Sequence, residues 1–175
     1  EEEKKEEKSG DERVQNVLFF NMGSSHLEVC LVKYTPLPHM GRTSSALQVL
    51  GCRETREVGG HLADLAIAEF MRGKFAEKFP KLADGFLKNS RAHKKLLTQA
   101  QKTKHVLSAN KEGMYQIESL YDDTDFKQKI TREEFETMID SQFTKALSTV
   151  DDALKVSEIT MNDVHGVEVV GGGWR

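Results

Sequence analysis

The sequence predicts an α/β fold, and three features of the chain indicate it. Short apolar strands occur near both ends of the 175-residue chain, amphipathic helical segments occupy its middle, and glycine-rich turns follow directly after strands. A chain of this length makes one domain or two small subdomains and has enough residues to bury a hydrophobic core.

Three strands are predicted in the first third of the chain. The apolar run Val17–Phe20 is typical of a strand, and it ends at a turn of small residues, 21–25. Alternating residues from Leu27 to Leu31 predict a second strand, which the tight turn makes antiparallel to the first. A loop with two prolines, 34–45, precedes a third strand at 46–50.

Helical periodicity replaces the strand pattern after the Gly59-Gly60 pair. Apolar spacing predicts one helix from this pair to residue 79 and a second over 90–108. Thr131 and Glu134 form a capping-box pattern, in which each side chain bonds the backbone amide of the other residue. A third helix is therefore predicted to begin there and to present its apolar stripe to the core.

Two further strand regions are predicted in the second half. Alternation over 115–120, a turn rich in aspartate and a second run over 126–130 predict a hairpin. Near the end of the chain, Val167–Val170 predicts a strand that leads directly into Gly171–Gly173.

Charge and cysteine content exclude several classes of protein. Residues 1–15 are almost wholly charged, so they are predicted to form a solvated linker or insertion. The rest of the chain is charge-balanced, which argues against a nucleic-acid-binding protein, and no apolar run approaches the roughly 20 residues of a membrane span. Two cysteines cannot build a disulfide framework, so Cys30 and Cys52 are predicted to be buried small apolar residues.

Three glycine-containing turns are candidates for binding phosphate. They lie at Asn21–Ser25, Gly59–Gly60 and Gly171–Gly173. A turn of this kind lets a phosphate approach the backbone, and a helix start directs free amides at it. Each alone is more typical of an ordinary turn, but three together suggest a nucleotide. Neither a Walker A lysine nor a GxGxxG dinucleotide motif is present.

Three motifs carry a specific resemblance. VLFFNMGSSHLEVCLVKY resembles the second phosphate-binding hairpin of the actin-like ATPase fold in the heat-shock protein 70 superfamily. VGGHLADLAIAEF resembles its Leu-Gly-Gly helix start, GVEVVGGGWR resembles its adenosine motif, and the three occur in family order. Within the superfamily, the Met-Gly-Ser-Ser turn is most similar to the large endoplasmic-reticulum members, the 170-kilodalton glucose-regulated or hypoxia up-regulated chaperones.

The resemblance implies a fold and a ligand. The fold is lobe II of an actin-like, ribonuclease H-like nucleotide-binding domain. Residues 16–56 and 132–175 would form its inner subdomain, a mixed sheet with helices, and residues 57–131 its smaller outer subdomain. The expected ligand is ATP or ADP, with Mg²⁺ in the complete domain. Since the first lobe lies outside this chain, the chain alone is not expected to hydrolyse ATP.

The resemblance also assigns binding residues, and several depart from the family pattern. Asn21 stands where the family has an Asp that organises metal and water, and His26 replaces its Thr. Gln101 replaces a ribose-binding Glu, and His105 replaces an Arg that stacks on adenine. No catalytic or metal-binding residue is assigned. The residues expected to bind nucleotide are Gly23, Ser24, Ser25, His26, Gly59, Gly60, Gln101, Lys104, His105, Ser108, Gly171, Gly172, Gly173 and Arg175.

The implied function is that of a molecular chaperone. It would hold unfolded client proteins through a domain outside this chain, and it would promote nucleotide exchange on a smaller heat-shock protein 70-type partner. The expected location is the lumen of the endoplasmic reticulum, with the cytoplasm as the alternative. Two other functions stay open: an active ATP-hydrolysing chaperone, and a fold that has lost nucleotide binding.

Overall fold

The computed structural model describes residues 13–37 and 44–174, and it confirms the α/β class. Residues 1–12 of the predicted linker, 38–43 of the predicted loop and Arg175 lie outside the described residues. The described chain forms two compact units. The sheet unit comprises residues 13–21, 28–37, 44–54 and 148–170, and the helix–hairpin unit comprises residues 22–27, 55–147 and 171–174.

Four strands form the sheet. They are β1 (Gln15–Met22), β2 (Leu27–Leu37), β3 (Ser44–Thr55) and β6 (Gly166–Val170), in the order β3-β2-β1-β6. Strands β1 and β6 are parallel, with Val17 opposite Gly166 and Asn21 opposite Val170. Because parallel neighbours end at the same edge of a sheet, the residues after β1 and those after β6 leave it side by side. The strand pattern confirms the predicted strands, although β2 extends through Pro36 into the predicted loop.

A disulfide joins β2 to β3. Cys30 and Cys52 are bonded to each other, with their Cα atoms 4.2 Å apart, and Cys52 is exposed. The prediction that both are buried small apolar residues is therefore wrong. Adjacent strands bring two cysteines together that are separated by 22 positions in sequence.

The helix–hairpin unit contains the remaining elements. Its helices are α1 (Gly60–Lys78), α2 (Ala83–Leu87) and α3 (Ser90–Ala109), followed by the hairpin strands β4 (Glu112–Tyr121) and β5 (Thr124–Thr131). Helices α1 and α3 and the hairpin confirm the prediction, whereas α2 was not predicted. The side chains that form its core are buried and mostly apolar: Ile67, Met71, Phe75, Phe86, Leu96, Tyr115, Phe126 and Ile130.

Helix α4 (Arg132–Val156) contributes to both units, with residues 132–147 in the helix–hairpin unit and 148–156 in the sheet unit. The predicted capping box is present at its start. The Thr131 amide donates to Glu134 Oε2 at 2.8 Å, and the Glu134 amide donates to Thr131 Oγ1 at 3.1 Å. These bonds satisfy amides that the first turn of a helix cannot satisfy internally, which fixes where α4 begins.

A second capping box predicts a pH dependence of stability. Asp163 Oδ2 accepts from the Thr160 hydroxyl at 2.6 Å and from the Thr160 amide at 2.8 Å. These hydrogen bonds, the hydroxyl first, hold the pKa of Asp163 below its usual value. The carboxylate therefore stabilises the fold at neutral pH, and this contribution is lost as the pH falls through the lowered pKa.

We expect Asp163→Asn to destabilise the protein at pH 7, and the difference from wild type to shrink as the pH falls through the carboxyl range. Chemical denaturation at several pH values measures this difference. Asp151→Asn, a change of the same charge on an exposed residue of α4, serves as the control. An Asp163→Asn effect that does not vary with pH would contradict the assigned cause.

Candidate functional site

The turn that follows β1 exposes backbone amides. The Gly23 amide donates to the His26 carbonyl at 3.0 Å, which closes the turn. Ser24 and Ser25 are exposed, and Ser25 Oγ lies 3.3 Å from His26 Nδ1. Within the described ranges the Ser24 and Ser25 amides donate to no acceptor. Two backbone donors at this turn are thus available to a ligand.

The Gly59-Gly60 pair supports that turn directly. The Gly60 amide donates to the Gly23 carbonyl at 3.1 Å, and the His61 amide donates to the Ser24 carbonyl at 2.8 Å. A Cβ at Gly59 would lie 2.6 Å from the Ser24 carbonyl oxygen, so only glycine permits this approach. The prediction that this helix start offers free amides is wrong, because the carbonyls of the turn already accept from them.

The glycines after β6 meet the same turn. Gly171 has a φ of 94°, a conformation that side chains disfavour, and it leads into a single 3₁₀ turn at Gly172–Trp174. A Cβ at Gly173 would lie 2.6 Å from the Gly23 carbonyl oxygen and 2.8 Å from that of Met22. A Cβ at Gly172 would meet no atom within 4 Å. The bends near the two ends of the chain therefore lie against each other.

Lys104 on α3 lies where the three glycine segments meet. Its ammonium group donates to the Gly60 carbonyl at 2.8 Å and pairs with Asp64 Oδ1 at 2.7 Å. The position of a Cβ on Gly60 is 3.5 Å from Lys104 Nζ and 3.4 Å from Gly173 Cα. We call this group of Gly23, Gly59, Gly60, Gly173 and Lys104 the glycine cluster.

The other predicted residues of α3 lie on the same helical face as Lys104. Gln101, His105 and Ser108 follow the three- and four-residue spacing that aligns side chains along one side of a helix, and all three are exposed. The Ser108 hydroxyl donates to the His105 carbonyl at 2.7 Å. These side chains extend the polar face of α3 on either side of Lys104.

Sequence reasoning missed Asp64, which lies one helical turn after Gly60. The Asp64 side chain is 11% exposed and the Lys104 side chain 13%. A carboxylate on the otherwise apolar buried face of α1 was the available signal, since a buried charge requires a partner. The partner lies 40 positions away in sequence and could not be read from the local pattern.

The residues of the glycine cluster fit the phosphate of a nucleotide. Free amides at the Ser24–Ser25 turn are donors that phosphates accept from, and the Lys104 ammonium can donate to a phosphate or a sugar oxygen. Because Gly59 and Gly173 have no Cβ atoms, their backbones can pack directly against the turn after β1. The arrangement can thus bind an anion with backbone donors and one cation.

The family model described as "Hsp70 protein" matches residues 4–175, nearly the whole chain. The chain belongs to the Hsp70 protein family. Membership confirms the actin-like ATPase fold that the resemblance implied.

Among the helices of the described residues, none is long and apolar enough to cross a membrane.

Relatives within the Hsp70 family confirm the resemblance to the hypoxia up-regulated group. Hypoxia up-regulated protein 1 of Danio rerio is 38% identical over 162 residues, and that of Homo sapiens is 37% identical over 167 residues. Heat shock 70 kDa protein 17 of Arabidopsis thaliana is 35% identical over 168 residues. Each comparison covers 92% of this chain but only 16%, 16% and 19% of the relative, respectively.

Proposed function

We propose that this chain is part of the ATP-binding domain of an Hsp70-type molecular chaperone, which holds unfolded clients and promotes nucleotide exchange on a smaller partner chaperone. The observation that supports this most is the glycine cluster, in which segments from both ends of the chain meet at Lys104. In this proposal, residues 16–56 and 132–175 form the inner subdomain and residues 57–131 the outer one.

The glycine cluster suggests a role for each part of the binding site. The amides of Ser24 and Ser25, beside His26, bind the phosphates, and Gly59 and Gly60 hold that turn in place. The polar face of α3 binds the sugar and base, through Gln101, Lys104, His105 and Ser108. The segment from Gly171 to Arg175 completes the site. ATP, with Mg²⁺ in the complete domain, supplies binding energy that favours one arrangement of domains over another.

Asn21 favours nucleotide exchange over hydrolysis. An amide carries no charge, so it cannot order a metal-linked water as the carboxylate of the family motif does. Nucleotide exchange requires only that bound ATP fix the conformation of the domain. The function most consistent with Asn21 is therefore an exchange factor and holdase that hydrolyses ATP slowly.

We expect the full-length protein to hydrolyse ATP slowly in a single turnover, and Asn21→Asp to raise the rate by at least about tenfold, since a positioned acid–base group contributes roughly 10²–10⁴-fold. Asn162→Asp, the same chemical change at an exposed residue of the sheet unit, should leave the rate unchanged. Fast hydrolysis by the wild-type protein would contradict the exchange-factor proposal and support an active ATPase.

The disulfide supports a location in an oxidising compartment. Disulfides such as Cys30–Cys52 persist in secretory compartments and are rare in the cytosol, where thiols stay reduced. We propose the lumen of the endoplasmic reticulum, in agreement with the resemblance to the large members of that compartment. Immunofluorescence of cells that express the tagged full-length protein tests this location, and a cytosolic signal would contradict it.

A further inference from the structure

We propose that Asp64 is a positioning residue that holds the Lys104 ammonium in place for the nucleotide. This inference rests on the proposed function of the glycine cluster. Lys104 Nζ donates to the Gly60 carbonyl at 2.8 Å and forms an ion pair with Asp64, whose Oδ1 lies 2.7 Å away. An ammonium group has three N–H donors, and the bond to the Gly60 carbonyl occupies one of them, so the positioned ammonium can still donate to an oxygen atom of the ligand.

Two features of the ion pair distinguish it from an ordinary surface pair. Both side chains are nearly buried, at 13% and 11% exposure, so solvent screens their attraction little. The pair also joins two helices, because Asp64 belongs to α1 and Lys104 to α3. By contrast, Glu69 and Arg72, three positions apart on α1, are both more than a third exposed.

The physical role of this tether is to reduce the entropy that binding would otherwise cost. A free lysine side chain occupies many rotamers, and ordering it when a ligand binds weakens the affinity. In this structure Asp64 and the Gly60 carbonyl order the ammonium before any ligand arrives. Its fixed position is the point where the Gly60 and Gly173 backbones approach each other.

The sign of the effect separates positioning from simple electrostatics. If Asp64 acted only through its negative charge, its removal would strengthen the binding of a negatively charged phosphate. If Asp64 positions Lys104, its removal weakens binding, because the lysine must then be ordered by the ligand. Asp64→Asn preserves the size of the side chain and removes the charge, so it tests the sign directly.

The experiment is a double-mutant cycle in the full-length protein with ADP as the probe, measured by titration calorimetry. We expect Asp64→Asn to weaken ADP binding three- to tenfold, and to have no effect when Lys104 is replaced by Met. Glu69→Gln, the same change of charge on α1, should not weaken binding. Adenosine is a second probe that identifies which ligand oxygen accepts from Lys104. If Asp64→Asn weakens the binding of ADP and adenosine equally, the acceptor is a sugar oxygen. If it weakens the binding of ADP alone, the acceptor is a phosphate oxygen.

A ligand-free measurement accompanies the cycle. Acetylation of Lys104 by an amine-reactive reagent, followed by mass spectrometry, should be several-fold faster in Asp64→Asn than in the wild type, and unchanged labelling would overturn the inference. Unchanged or tighter ADP binding by Asp64→Asn, or an equal loss with and without Lys104, would also overturn it while leaving the proposed function intact. Failure of the wild-type protein to bind ADP would overturn the proposed function, and this inference with it.

Discussion

Replacing Gly173 by alanine should weaken ADP binding at least about tenfold. The new Cβ would lie 2.6 Å and 2.8 Å from the carbonyl oxygens of Gly23 and Met22, distances that carbon and oxygen atoms do not tolerate. Both obstacles are backbone atoms, so one segment must move away from the other, at a cost of about 1–3 kcal/mol typical of overpacking. Because the proposed phosphate donors belong to the turn after β1, a movement of either segment separates them from Gly173 and widens the binding site. Titration calorimetry on the full-length protein measures the loss.

The adjacent glycine provides a matched control. A Cβ at Gly172 would meet nothing within 4 Å, and Gly172 belongs to the same 3₁₀ turn. Gly172→Ala should therefore weaken ADP binding much less than Gly173→Ala does. Equal losses in the two variants would show that the turn as a whole, and not the contact between Gly173 and Gly23, determines the affinity.

Loss of the disulfide should lower the unfolding free energy of strands β2 and β3 by about 3 kcal/mol. The bond closes a loop whose ends are 22 positions apart, and the chain-entropy model assigns a loop of that length a stabilisation of about 3 kcal/mol. Native-state hydrogen exchange of amides in β2 and β3, with Cys30→Ser/Cys52→Ser compared with the wild type, measures this local stability.

A reducing agent supplies the control for this prediction. Dithiothreitol should accelerate exchange in β2 and β3 of the wild-type protein and leave the double-serine variant unchanged. If mass spectrometry finds free thiols at both cysteines of the protein purified from its native compartment, the disulfide does not form there, and the support for an oxidising location is lost.

Periodicity and turn chemistry predicted most of the fold. Helices α1 and α3 and the capping box at Thr131 follow from local patterns, which a single sequence carries in full. Helix α2 was missed because its five residues, Ala83–Leu87, are too few to show a helical period. The disulfide was missed because it depends on how β2 pairs with β3, and the sequence of the loop predicted at 34–45 does not specify which residues of the two strands lie opposite each other.

The glycine cluster shows a similar division. The positions of its glycine-containing turns were predicted, because glycine beside serine after a strand is a local pattern. The partners of the Gly60 and His61 amides were not predicted, since the carbonyls that accept from them belong to a turn 37 positions earlier. Asp64 was missed for the same reason, because its role depends on Lys104 in a different helix.

Hydrogen exchange with and without ADP tests most directly whether the three glycine segments bind one nucleotide. In the full-length protein, we predict that ADP slows exchange together in the peptides that contain Ser24 and Ser25, the start of α1, and Gly171–Trp174. Peptides from the β4–β5 hairpin, Glu112–Thr131, should be unaffected. We expect all three segments to become protected over the same range of ADP concentration. No protection, or protection of one segment alone, would contradict a shared nucleotide site.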